Sequence, residues 1–186
     1  MRKLNAFIHV TLDGFFTDAK GDMSWAHRGN DNPEWSKFVA GNAKGGGALV
    51  FGRVTYEMMA GYWPSDMARQ QNPVVAERMN ALPKYVFSRT LKKAAWSNTT
   101  VVKDLVAGMK KLKSESGPDL AVLGSGSIVA QLVAAGLLDT LQVVVNPLVL
   151  GGGKPLFAGV KKEVALKLTN SRTFGNGKVL LDYAPA

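Results

Sequence analysis

Short apolar runs alternate with helix-forming stretches from about residue 4 to residue 135, and beyond that point they follow one another with only loops and turns between them. That order narrows the folds open to the chain. Strands separated by helices cross over and pair in parallel, whereas strands joined by tight turns pair antiparallel. The sequence therefore predicts an α/β fold: a mostly parallel central sheet with an antiparallel C-terminal edge and helices on both faces.

The first run, Leu4 to Leu12, is apolar with partial alternation and stops at Asp13-Gly14, which marks a largely buried strand. Residues 17 to 31 are rich in Asp, Gly and Asn and read as a long loop, a length that compact domains often use for function. Asn32, Pro33 and Glu34 supply an N-cap, a first-turn proline and an early acid, so a helix is expected from Pro33 to about Ala43, broken by Gly45-Gly46-Gly47. Further strands are expected at 48–52, 84–88, 99–103, 120–123 and 141–150, with helices at 53–60, 104–113 and 125–135 and one more within 61–82. In the helix capped by Asp104, Leu105, Val106, Met109 and Leu112 share one face and Lys110, Lys111 and Lys113 form the opposite, solvated one. Residues 164–168 and 178–183 flank Gly175-Asn176-Gly177 as an antiparallel hairpin.

With 186 residues, no internal repeat and no linker, a single domain over 1–186 is expected. Without cysteine there is no disulfide framework, thiolate zinc site or cysteine nucleophile, and His9 and His27 alone argue against a metal centre. No signal-peptide core and no apolar run of membrane-spanning length is present, so a cytoplasmic location is expected and no membrane contact. The net charge of +9 favours anionic partners, but the basic residues are scattered, and nucleic acid is not the expected one.

The chemistry concentrates where strands hand over to helices. In Val50-Phe51-Gly52-Arg53-Val54-Thr55-Tyr56-Glu57, glycine lets backbone N–H groups approach a ligand, the helix start favours negative charge, and Thr55 adds a hydroxyl. Leu123-Gly124-Ser125-Gly126-Ser127-Ile128 repeats the device. In an open α/β sheet both would face the crevice at the strands' carboxyl ends and grip one pyrophosphate. Neither has the G-x-G-x-x-G spacing of ordinary dinucleotide-binding domains. Ser88-Arg89-Thr90, just past another strand, suits a phosphate monoester, because arginine offers forked, charge-assisted donors; the plainer reading is a polar turn.

Taken together, Gly52-Arg53-x-Thr55-x-Glu57, Ser88-Arg89-Thr90 and Gly124-Ser125-Gly126-Ser127 resemble the NADPH-binding series of the dihydrofolate reductase fold. With Asn146-Pro147 and the loop from Gly151 to Leu156-Phe157, the whole chain is similar to standalone relatives of the bacterial riboflavin-pathway reductase domain. The resemblance implies NADPH, with Gly52, Arg53 and Thr55 at its pyrophosphate and adenosine end, Ser88, Arg89 and Thr90 around the 2′-phosphate, and Gly124, Ser125, Gly126, Ser127 and Ile128 holding the pyrophosphate and nicotinamide ribose. Val10 and Phe16 would border the nicotinamide, and Asp18 to Gly21 would belong to the loop closing over it. It further implies a homodimer and a small-molecule substrate, a planar or ribosylated heterocycle reduced at a CH–NH or C=N bond.

The Trp-x-x-Pro-x-acid segment of folate reductases has only a partial counterpart: Trp25 fits, while Asp31 and Glu34 fall at other spacings. Glu34 is then the first carboxylate to test as proton donor, against a simple role at the helix start. Trp25 and Trp35 read either as stacking surfaces for a flat substrate or as packing. His9 reads as a hydrogen-bonded interior residue, and Gly151-Gly152-Gly153-Lys154 either as a phosphate loop or as a hairpin loop. The competing functions are an NADPH-binding module without catalysis and, on charge alone, a basic nucleic-acid-binding protein.

Overall fold

The computed structural model describes residues 1–44 and 47–186. Gly45 and Gly46, expected to break the first helix, lie outside the described residues. An eight-stranded sheet runs in the order β5-β4-β3-β6-β1-β7-β10-β9, formed by β1 (Leu4–Thr11), β3 (Ala48–Gly52), β4 (Lys84–Phe87), β5 (Thr99–Val102), β6 (Leu120–Val122), β7 (Thr140–Asn146), β9 (Leu166–Thr173) and β10 (Val179–Pro185). The strands from β5 to β7 pair in parallel, and β10 pairs antiparallel with both β7 and β9. Two small strands, β2 (Phe15–Thr17) and β8 (Lys154–Pro155), pair separately at the end of β1.

The helices are α1 (Pro33–Lys44), α2 (Arg53–Tyr62), α3 (Asp66–Gln71), α4 (Pro73–Ala81), α5 (Leu105–Ser114) and α6 (Gly126–Ala134). On one face, Leu4, Ala6, Ile8 and Val10 of β1 share a core with Met109 and Leu112 of α5 and Val129 and Leu132 of α6. Burying each such aliphatic side chain contributes about 1.5–3 kcal/mol, which is why these helices sit flat on the sheet. On the other face one cluster gathers Leu49, Phe51, Tyr56, Met79 and Trp96, and another gathers Trp35, Val144, Phe174 and Leu180.

Four local readings change. The stretch 61–82 holds two helices, because Asn72 departs from helical geometry at φ −142° and Pro73 starts α4 afresh. Strand β7 ends at Asn146 rather than Leu150, since Pro147 has no N–H to give the sheet. The hairpin strand β9 reaches Thr173, well past residue 168, and nearly all of it is exposed, so its polar sequence carried no burial pattern to read. Lys113 is not on the solvated face of α5: it is half-buried, donates to Leu137 O and pairs with Asp139. Within the loop 17–31, a 3₁₀ turn at Ser24–His27 buries Trp25 and Ala26.

Two lysines are nearly inaccessible. Lys84 donates to Asn80 O and Leu82 O at the end of α4, and Lys178, at the start of β10, donates to Ala26 O at 2.6 Å. Burial lowers the pKa of both to about 8. The unfolded chain holds these protons up to about 10.5, so it binds more protons than the folded chain between the two values, and stability rises with pH across that window. Thermal melting measured from about pH 7.5 to 10 is expected to show that rise, and a Lys84→Met, Lys178→Met double variant to flatten it; an equal slope in the variant would show that other groups cause it.

Candidate cofactor cleft

The carboxyl ends of the parallel strands lie side by side, with Ser88 following β4, Gly52 closing β3, Gly124 following β6, Thr11 closing β1 and Asn146 closing β7. At a strand spacing of about 4.8 Å, this row of five ends spans about 19 Å. The two glycine-bearing ends are in direct contact: Gly52 N donates to Gly124 O at 3.0 Å. A Cβ at Gly52 would stand 2.9 Å from Ser125 Oγ, and Gly124, at φ +114°, leaves 3.3 Å between such an atom and Thr55 Oγ1.

Both helix starts at this junction are left without a side-chain cap. Gly52 precedes α2 and Ser125 precedes α6, and neither side chain accepts an N–H from its helix. Elsewhere the chain caps its helices with its own oxygens: Asn32 accepts from Trp35 N, Ser65 from Ala68 N, and Asp104 from Ala107 N. Helix α4 also lacks a side-chain cap, but it begins with Pro73, which has one donor fewer to satisfy. The first N–H groups of α2 and α6, with the positive ends of their dipoles, are therefore left without a side-chain acceptor at one backbone junction, where an anion would be stabilised. This donor set fits a pyrophosphate.

Around the junction, Ser125 Oγ and Ser127 Oγ are hydrogen-bonded at 2.7 Å, and Ile128 is buried against Gly52. Phe16 lies across Gly126, where a Cβ would be 2.6 Å from its ring, and Val10, Phe16 and Ile128 belong to the same core cluster. Gly126→Ala is thus expected to overpack this contact and destabilise the fold by about 1–3 kcal/mol, measured by denaturant unfolding. Ser88 Oγ accepts the N–H groups of Thr90 (3.2 Å) and Leu91 (2.9 Å), so it shapes the turn that leaves Arg89 and Thr90 exposed. Arg53, in contrast, is engaged along its own helix by Glu57 at 2.8 Å. The Asp18 carboxylate accepts from Lys20 N and Asp22 N and closes a tight turn with Gly21 at φ +87°.

Glu34 is held by Arg172 of β9, whose guanidinium donates at 2.8 Å and holds the carboxyl below its usual range. It stands beside the outermost strand, next to Trp35, and could serve as a proton donor only on leaving Arg172. Trp25 is buried with its indole N–H unpartnered among the described residues, whereas Trp35 donates to Asn30 Oδ1 at 2.9 Å and packs edge-on against Phe174. In the glycine loop after β7, Asp13 accepts from Leu150 N and Gly151 N, so a carboxylate of the chain itself takes the first amide of that loop.

One group was not foreseen. Thr11, Asn146 and Lys178 stand opposite one another on adjacent strands, on the face toward α1, and each is at most 2% exposed. Asn146 Nδ2 donates to Val10 O (3.0 Å) and Val144 O (3.1 Å), while its Oδ1 is buried without a partner among the described residues. Alternation along β1 places Thr11 on the face of His9, but only the pairing across three strands assembles the row. Replacing Asn146 by leucine is expected to cost about 1–3 kcal/mol in denaturant unfolding, because the carbonyls lose their donor in a buried setting.

A groove of about 870 Å³ lies at the other end of the sheet, lined by Ala60, Pro64, Glu77, Asn80 and Trp96 where the chain enters β4 and β5. The Asn80 amide there is fully used by Trp63 O, Ala76 O and Trp96 Nε1. Among the described residues no cluster of metal-binding side chains occurs, and no helix is long and apolar enough to cross a membrane.

The model of the RibD C-terminal domain family matches residues 2–180. The protein YyaP of Bacillus subtilis (strain 168) is 29% identical over 182 residues, covering 98% of this chain and 94% of that protein. Among solved structures, a putative riboflavin biosynthesis protein from Shewanella sp. PV-4 superposes with a TM-score of 0.75 at 20% identity, covering 99% of each chain. The diaminohydroxyphosphoribosylaminopyrimidine deaminase/5-amino-6-(5-phosphoribosylamino)uracil reductase of Thermotoga maritima gives a TM-score of 0.70 at 16% identity, over 100% of this chain and 57% of that one.

Proposed function

Because this chain belongs to the RibD C-terminal domain family and has its dihydrofolate reductase-like architecture, we propose that it is an NADPH-dependent reductase of a small planar or ribosylated heterocycle, pyrimidine- or pteridine-like, acting on a CH–NH or C=N bond. The observation that carries this reading is the pair of uncapped helix starts meeting at Gly52 and Gly124.

NADPH supplies the hydride when bound. The chain's task is to orient and enclose it. The N–H groups opening α2 and α6, with Thr55, Ser125 and Ser127, take the pyrophosphate, and Gly52 keeps the approach open. Arg89, with Ser88 and Thr90, takes the 2′-phosphate and so selects NADPH over NADH. Arg53 contributes to the adenosine end once it leaves Glu57. Gly124, Gly126 and Ile128 border the nicotinamide ribose, Val10 and Phe16 the ring, and the turn from Asp18 to Gly21 lies in the segment that closes over it. Trp25, in the same loop, is the side chain we assign to the substrate's flat face. The protein works in the cytoplasm as a homodimer in this reading.

Titrating NADPH while following its fluorescence is expected to give saturable binding at micromolar concentrations. No binding there would sink the proposal. Binding without oxidation of NADPH in the presence of any pyrimidine or pteridine would identify a nucleotide-binding module instead.

A further inference from the structure

We propose that His9 is a substrate-binding hydrogen-bond donor: a neutral imidazole that presents its Nε2–H to a ring carbonyl or imine nitrogen of the heterocycle. This inference rests on the reductase reading above. His9 lies in the C-terminal half of β1, on the face toward α1 and one step behind the buried row of Thr11, Asn146 and Lys178.

The tautomer follows from the neighbours. Asn146 Nδ2 faces the carbonyl oxygens of Val10 and Val144, which identifies it as the amide nitrogen, and the same nitrogen is 3.3 Å from His9 Nδ1. Both hydrogens of that amide are given to the two carbonyls and its nitrogen cannot accept, so a proton on Nδ1 would point at a group with nothing to receive it, which places the ring proton on Nε2. Phe7 and Trp35 stand edge-on to the ring, with centroids 5.4 Å and 5.7 Å away, so they fix its plane. The residue is nevertheless partly exposed, and no hydrogen bond to Nε2 occurs among the described residues.

Burial and a neighbouring charge keep the ring neutral. Among the described residues two cationic or titratable groups face it from packed elements, the Lys178 ammonium just before β10 and His27 from the 3₁₀ turn, and no carboxylate counters them. Burial first, and Lys178 second, lower its pKa to about 3. A neutral imidazole of this kind polarises a carbonyl without itself changing charge. The Asn146 oxygen left unpartnered beside it is an acceptor of the same buried row.

Protein labelled with ¹⁵N-histidine carries only two imidazoles, and His9→Ala assigns them. The His9 signals are expected to report the Nε2–H tautomer and to stay constant from about pH 5 to 8. With NADP⁺ saturating, uracil or pterin as probes should shift the Nε2 proton. His9→Ala should weaken the better probe about 10-fold, with NADPH affinity unchanged, and His9→Gln, which keeps a donor, should recover most of the loss. Melting curves of both variants establish that they fold. A His9 that titrates above about pH 6, probe affinity equal in wild type and His9→Ala, or no probe binding to the NADP⁺ complex would each overturn the proposal. If wild type fails to bind NADPH at all, the reductase reading falls and takes this one with it; any of the three failures with NADPH binding intact overturns the role of His9 alone.

Discussion

Arg89→Ala is expected to weaken NADPH about 10- to 100-fold and to leave NADH within about twofold, measured by fluorescence titration of both nucleotides at one ionic strength. The magnitude is that of a charge-assisted hydrogen bond removed from a phosphate, about 1.5–3 kcal/mol. Arg89 is exposed and makes no ion pair among the described residues, so its guanidinium is available and its loss leaves no buried partner stranded. Arg89→Lys should fall between wild type and alanine, because the charge remains while the fork is lost. Equal losses for both nucleotides would move the 2′-phosphate away from this turn.

Gly52→Ala should show the opposite pattern, with NADPH and NADH both weakened more than about 30-fold, equivalent to about 2 kcal/mol. The backbone at Gly52, φ −76° and ψ 160°, is open to any residue, so the substitution adds no backbone strain. What it adds is a methyl group 2.9 Å from Ser125 Oγ and 3.4 Å from Ile128 Cγ2, at the point where the two helix starts meet. Ser125 has to turn away from Ser127, and the entrance to both sets of N–H groups narrows. The melting temperature should change by only a few degrees, the response of a domain of this size to about 1 kcal/mol. A Gly52→Ala variant that binds both nucleotides like wild type would place the diphosphate elsewhere.

These two substitutions act on features of different visibility. The glycine junction was legible because a strand, a glycine and a helix start are consecutive in the chain at 48–55 and again at 120–128. That the two meet was decided by the strand order, which makes β3 and β6 neighbours although two strands separate them in the chain. Glu34 was legible only as an acid in a first turn; its partner Arg172 lies 138 residues away on a strand whose exposed, polar sequence carries no pattern. Likewise nothing near the glycine loop at 151–153 pointed to Asp13, 138 residues away, as the acceptor of the Gly151 amide.

Local order along the chain was therefore sufficient for the layered α/β architecture, the parallel sheet with its antiparallel edge, and the presence of two glycine-bearing helix starts. Hydrophobic period, caps and glycines act over a few residues, and a sequence records them directly. The buried row of Thr11, Asn146 and Lys178, and the burial that with Lys178 keeps His9 neutral, belong to the tertiary structure alone. Burial and the distance between charges set those properties, and both depend on which strands become neighbours.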